Sequence, residues 1–373
     1  MKSFFCKAMG ATAVAAFALG ASVSAQAKVD FGKPGEPVKL VIGYQPYYTE
    51  SWSGVVVASK ELWKKYLPKG STATFEIGLQ GSVIVGKLLG EKNHIGYMGD
   101  MPAIVSSMRE NQVDLRMVSV LGTSKQQCNI FLVPNNAPKF KSGMDAVKWM
   151  DKKLIAAPHG ACTDRFARLA FQQAGIQPSK YLNQNIENIT KNLEAGKIQG
   201  AAIWEPTASK IEMLGIARRA ATGADFAGDD SGDAGFLVMM NHLIQTRPDV
   251  YKGWLEAELD AQLFLANPAN ASEVAKMADD QTEGIDRKVL WASLYHDEKG
   301  ANKLTLDFIF NDKVKTMLKA SAAFLAGQKK FGNRTELRPE AVWDGMARQI
   351  LKERGLSSPV GKINGVPMSQ YKN

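Results

Sequence analysis

The side chains best suited to hold a ligand fall in five short stretches, each placed where an extended pattern gives way to a helical one. Tyr44-Gln45-Pro46-Tyr47-Tyr48, with Trp52 close behind, offers aromatic rings and an amide. Gly81-Ser82 supplies a hydroxyl at a helix start, fit either to cap the helix or to meet a ligand. Asp100-Met101 supplies a carboxylate that caps a helix or receives a substrate amine or hydroxyl. His159-Gly160-Ala161-Cys162-Thr163 is built from small residues that let backbone N–H groups approach a ligand, and His159 and Arg165 can add charge. Trp204-Glu205 offers an aromatic face and an acceptor, or else hinge packing and a cap. The chemistry common to all five is non-covalent. Helix beginnings carry unpaired N–H groups and a partial positive charge, so they hold oxyanions without needing an arginine.

Bond-making chemistry has no comparable seat. The chain contains no H-E-x-x-H, no G-x-S-x-G and no C-x-x-C, and His94, His159, His242 and His296 are scattered. No enzyme activity, metal or cofactor is therefore expected. Gly81 to Leu88 reads G-x-x-x-x-G-K-L, close to a nucleotide-binding loop. It lacks the Ser or Thr that would hold magnesium, and its apolar filling is helical.

Residues 1–27 differ from the rest: Lys2 and Lys7 precede an Ala-rich apolar run that ends in Ala25-Gln26-Ala27, a small-x-small pattern. This predicts a signal peptide cleaved after Ala27 and a periplasmic, soluble mature protein. Cys6 lies ahead of the apolar run, so no lipid attachment is expected. Losing Lys2 and Lys7 takes the formal charge from +9 to +7, a moderately basic exterior that helps attract anions. The basic residues are interleaved with acids, so no nucleic-acid partner is expected. Export makes a disulfide chemically feasible, but Cys128 and Cys162 alone do not make a disulfide scaffold and read as buried small apolar side chains.

The elements that must position these residues alternate along the chain. Val38, Leu40 and Ile42 mark a strand, and Ala73–Leu79, His94–Met98 and Leu115–Leu121 mark three more. Helices are expected near Trp52, over Ser82–Leu89 and over Pro102–Met108. This spacing argues for an open, largely parallel α/β sheet, in which ligands bind beyond the carboxyl ends of the strands. Asn129–Val133 and Gly235–Met240 are similar apolar segments that bracket a smaller βα series: strands Leu154–Ala157 and Gln199–Ile203, and helix Thr163–Gln173 closed by Gly175. They read as two crossovers between lobes. After Asn241 the pattern is helical throughout, beginning with Val250–Ala266.

Leu154-Ile-Ala-Ala-Pro158, the small-residue loop, the helix end Gln173-Ala-Gly-Ile176 and Leu193-Glu-Ala-Gly-Lys-Ile-Gln-Gly-Ala-Ala-Ile-Trp-Glu-Pro206 together resemble the nitrate/sulfonate/taurine-type periplasmic binding proteins of ABC transporters. That group also includes binders of a thiamine pyrimidine precursor. Ile42-Gly-Tyr-Gln45 and Ile95-Gly-Tyr-Met-Gly-Asp100 fit as well, and the resemblance runs from about Val38 to Met240. It implies an α/β, type II periplasmic-binding-protein fold: two α/β lobes joined by two crossover strands, with the helical C-terminal extension packed on lobe one. Lobe one would comprise 28–130 plus 238–373, and lobe two 131–237. The implied partners are a small organic anion, such as an alkyl or aryl sulfonate or taurine, and an inner-membrane permease, the protein itself being a monomer. The alternatives are a thiamine pyrimidine precursor, nitrate or bicarbonate as ligand, a sensory role in place of transport, or an enzyme on the same fold. The aromatic first loop suggests a ligand bulkier than nitrate.

Overall fold

In a computed structural model, which describes residues 29–226 and 232–372, the alternating pattern resolves into two separate sheets. The leader expected over residues 1–27 lies outside the described residues.

The first βα units run β1 (Lys39–Tyr44), α1 (Trp52–Ser59), β2 (Thr72–Ile77), α2 (Gly81–Leu89), β3 (Ile95–Gly99), α3 (Asp100–Ser107) and β4 (Leu115–Ser124). Leu40 and Ile42 of β1 are buried, and every residue of β3 and β4 is, so β3 and β4 are covered on both faces. The chain then enters a second series: β5 (Ile130–Pro134), α4 (Gly143–Trp149), β6 (Leu154–Ala157), α5 (Cys162–Ala174), β7 (Lys180–Asn183), α6 (Ile186–Glu194), β8 (Gly200–Ile203), α7 (Thr207–Met213) and β9 (Ala217–Thr222). Gly175 ends α5 with φ +65°, a left-handed cap that favours glycine. β10 (Asp233–Met240) returns to the first sheet.

The first sheet has the order β12-β11-β4-β10-β3-β1-β2 and the second β7-β6-β8-β5-β9. The expectation of a largely parallel sheet needs correction. β1 pairs in parallel with β2 and β3, but β10 is antiparallel to both β3 and β4. In the second sheet β6 is parallel to β7 and β8, whereas β5 is antiparallel to β8 and β9. The strand that enters each sheet from the other arrives from the opposite direction. β10 pairs in the first sheet from Asp233 onward, so a division at residue 237 would cut through it.

After Asn241 come α8 (Asn241–Thr246), α9 (Pro248–Ala266), α10 (Ala271–Asp279), α11 (Arg287–Tyr295), β11 (Asn302–Leu306), α12 (Asp312–Gly327), α13 (Gly345–Glu353) and β12 (Gly361–Asn364). This region is not wholly helical: β11 and β12 extend the first sheet beyond β4. α9 packs on α1 and α12 on α3, while α11 also reaches α7, beside the second sheet. No helix among the described residues is long and apolar enough to cross a membrane.

Candidate functional site

Three helix beginnings meet at one cavity. Three residues separate the end of β2 from the start of α2, α3 starts directly at the end of β3, and α5 follows the Pro158–Ala161 loop that leaves β6. A small cavity lies between them, lined by Gln45, Tyr48, Gln80–Ser82, Gly99, Pro102, Pro158–Cys162 and Trp204. Two of the helices belong to the first sheet's units and one to the second's, so the cavity lies between the two βα systems. Among the described residues the lining contains no lysine, arginine or carboxylate.

Glycine permits two of these approaches. A Cβ on Gly81 would lie 2.4 Å from Cγ of Pro102, so the starts of α2 and α3 can sit this close only if that residue has no side chain. Gly160 has φ +81° and turns the chain into α5. Among the described residues, two polar atoms in the lining are buried without a partner: Oε1 of Gln45 and Nε2 of His159. The His159 ring stacks on Tyr181 at 4.7 Å, and its backbone N–H donates to Asn183 Oδ1 at 3.0 Å. Burial lowers the His159 pKa; Asp164 works against this and Arg168 adds to it. A neutral imidazole with one free nitrogen is thus a hydrogen-bonding group that carries no charge.

Of the expected site residues, the structure brings Gln45, Tyr48, Gly81, Ser82, His159, Gly160, Ala161, Cys162 and Trp204 to the cavity. The others stand behind it. Trp52 is fully buried, and its indole N–H donates to the Pro46 carbonyl at 2.8 Å, so both hold the loop in shape. Tyr44 packs edge-on against Phe75. Tyr47 faces a neighbouring depression: its hydroxyl accepts the Glu283 N–H at 2.8 Å, and its carbonyl accepts the Trp204 indole N–H at 3.0 Å. Met101 and Thr163 are buried. Glu205 is buried against Arg219 at 2.6 Å and accepts from the Ser209 hydroxyl and N–H, which leaves it no role as a ligand acceptor. Ser82 is not the cap expected from its position, because α2 begins one residue earlier and Gln80 holds the cap position. Likewise Gly99 precedes α3, and Asp100 is its first residue. The nucleotide-like run is helical from Gly81, with Lys87 paired to Glu76 at 2.9 Å.

Behind Tyr48 lies a buried polar group. The Tyr48 hydroxyl bonds Glu50 and lies 3.3 Å from Asp233. Asp100 accepts from the Ser321 hydroxyl at 2.7 Å and faces Arg165 at 3.8 Å, and Arg165 donates to the Gly232 carbonyl. Arg165 is therefore a structural cation at the join of the two βα systems.

Cys128 and Cys162 form a disulfide with Cα atoms 6.2 Å apart, which corrects the expectation of two separate thiols. The bond ties the residue just before β5 to the first residue of α5, in the cavity wall. Gln80, Gly99, Pro102 and Pro158, which flank the expected residues in the same strand-to-helix junctions without being singled out as contacts, also line the cavity. Their only signal in the sequence was adjacency to the chosen loops.

The described chain matches known proteins in fold. It resembles the alkanesulfonate-binding protein SsuA from Xanthomonas axonopodis pv. citri bound to MOPS, with a TM-score of 0.66 and 20% identity over 83% of this chain and 99% of that one. It also resembles the periplasmic aliphatic sulphonate binding protein SsuA from Escherichia coli, with a TM-score of 0.66 and 19% identity over 83% and 93%. The periplasmic nitrate-binding protein NrtA from Synechocystis PCC 6803 gives a TM-score of 0.60 and 14% identity over 85% and 86%. These likenesses show a periplasmic-binding-protein fold. No curated protein matches the sequence. The family model of the NMT1-like family matches residues 33–279, a span that includes every residue lining the cavity and well over half of the chain. This chain belongs to the NMT1-like family.

Proposed function

We propose that this protein is the solute-capturing component of an ABC-type import system, which holds a small organic sulfonate between two lobes and passes it, unaltered, to a membrane permease. The lobes are the two sheets with their helices, and the cavity between them is the ligand site. The observation that carries this reading is the convergence of three helix N-termini, from both sheets, on one cavity whose lining lacks charged side chains. A monoanion there meets backbone N–H groups, the Ser82 hydroxyl, the Gln45 amide and neutral His159, a set that can hold an oxyanion without a formal counter-charge. Trp204 and Tyr48 add an apolar wall for an organic body, which favours a sulfonate over bare nitrate. Solved proteins of this fold that bind alkanesulfonates agree with the reading.

Capture requires closure. Bonds from the ligand to both halves offset the cost of holding them together, and opening releases it to the permease. The leader over residues 1–27 fits export to the periplasm. Calorimetric titration with ethanesulfonate, taurine, nitrate and an aminopyrimidine tests the proposal. Ethanesulfonate or taurine is expected to bind with one-to-one stoichiometry and to bind more tightly than nitrate. Binding of the aminopyrimidine alone would reject the anion reading.

A further inference from the structure

The group behind Tyr48 is out of electrostatic balance. Glu50, Asp100 and Asp233 are each no more than 1% exposed, and among the described residues the one cation beside them is the equally buried Arg165. Fully ionised, three carboxylates would face one guanidinium in a place without solvent, and charges are not buried in that ratio. Oε1 of Glu50 and Oδ1 of Asp233 are buried with no hydrogen-bond donor among the described residues, although these two side chains are hydrogen-bonding neighbours. A proton between them satisfies both. The members come from separate elements: Tyr48 and Glu50 from the loop after β1, Asp100 from α3, Asp233 from the start of β10, and Arg165 from α5 on the opposite side of the cavity. Among the described residues the other neighbours are neutral: Ser321 of α12, Ser124 opposite Asp233 on β4, and the Cys128–Cys162 disulfide.

We propose that closing the cleft takes up a proton: Glu50, Asp233 and Asp100 form a proton-binding site that becomes sealed from water only when α5 brings Arg165 against it, so the anion is captured together with a proton. This rests on the closure reading above. The direction follows from the larger of two opposing effects. Burial, with Asp100 adding to it, raises the pKa of Asp233 to about 7, and the hydrogen bond with Glu50, the charge of Arg165 and the bond from Tyr48 only partly counter it. Burial likewise raises Glu50 and Asp100. Opening admits water, returns the carboxyls toward their ordinary range and releases the proton. The closed form is therefore favoured at low pH and loses that advantage as pH rises through about 7.

The test begins without any ligand. Infrared spectra of the wild-type protein at pH 6 should contain the carbonyl stretch of protonated, buried carboxyls, and the Glu50→Gln, Asp233→Asn double variant should lose part of it, keeping the contribution of buried Glu258, whose pKa burial raises to about 7. Small-angle scattering should show the radius of gyration rising between pH 6 and pH 8 in the wild type and staying constant in the double variant. Each replacement keeps the shape of the side chain, and the wild-type scattering needs no variant. With ethanesulfonate as probe, calorimetry in buffers of different ionisation enthalpy should report uptake of about one proton per ligand at pH 6, and affinity should be about tenfold weaker at pH 8. A wild-type-minus-variant difference spectrum with no protonated-carboxyl band at pH 6, or a double variant that keeps the wild-type pH dependence, overturns the proposal. If ethanesulfonate does not bind, the sulfonate reading falls, while the infrared and scattering results still decide this one.

Discussion

Removing the disulfide is the most quantitative perturbation the structure offers. Cys128 and Cys162 are buried and 34 residues apart in sequence, and they tie the entry to β5 to the first turn of α5. In the chain-entropy description, opening a loop of that length restores freedom to the unfolded chain and costs about 4 kcal/mol of stability. For a domain of this size the unfolding entropy is roughly 0.7 kcal/mol per kelvin, so Tm should fall by about 5 °C. The Cys128→Ala, Cys162→Ala double variant is the cleaner test, because alanine leaves no unpaired hydroxyl in the core. Scanning calorimetry of this variant, and of wild type with and without reductant, measures the effect. The same bond positions Cys162 in the cavity wall, so affinity for ethanesulfonate, the probe of the proposed function, should drop by about tenfold through the loosened helix start. If reduction leaves both Tm and affinity unchanged, the bond neither constrains the chain nor places α5.

Three further outcomes are expected. Gly81→Ala puts a Cβ 2.4 Å from Pro102 and must separate the starts of α2 and α3, so ligand affinity should fall at least tenfold in calorimetric titration while far-ultraviolet circular dichroism is unchanged. Trp204→Ala removes a side chain that is 3% exposed, and urea unfolding should show a loss of about 3–4 kcal/mol along with weaker binding of organic sulfonates than of nitrate. Lys303 is buried on β11, and its pKa is pushed down to about 8, first by burial and then by Arg219. The unfolded chain keeps this proton to higher pH, so the group should add about 3 kcal/mol of stability between pH 8 and its ordinary pKa of 10.5, and Lys303→Met should remove that increment in urea titrations at the two pH values.

Local pattern and spacing were enough to find the strand-to-helix junctions. Alternating apolar residues mark β1 and β3, and glycine marks the turn at Gly160 and the end of α5, because these depend on neighbours a few residues away. The loops of the cavity were legible for the same reason: the place where an extended pattern gives way to a helix depends on local spacing. Which side chains in those loops face the cavity was a tertiary matter. Trp52, Met101 and Glu205 have the composition of ligand contacts, but Trp52 reaches the Pro46 carbonyl, Met101 fills the core and Glu205 meets Arg219 fourteen positions away on β9. The antiparallel course of β10 and the extension of its sheet by β11 and β12 depend on the path between sheets, which leaves no periodic trace. Pairing of Cys128 with Cys162 and the gathering of Glu50, Asp100 and Asp233 around Arg165 join residues up to 183 positions apart. Hydrophobic period sets what each segment becomes; only the folded chain sets which polar groups lose their water together.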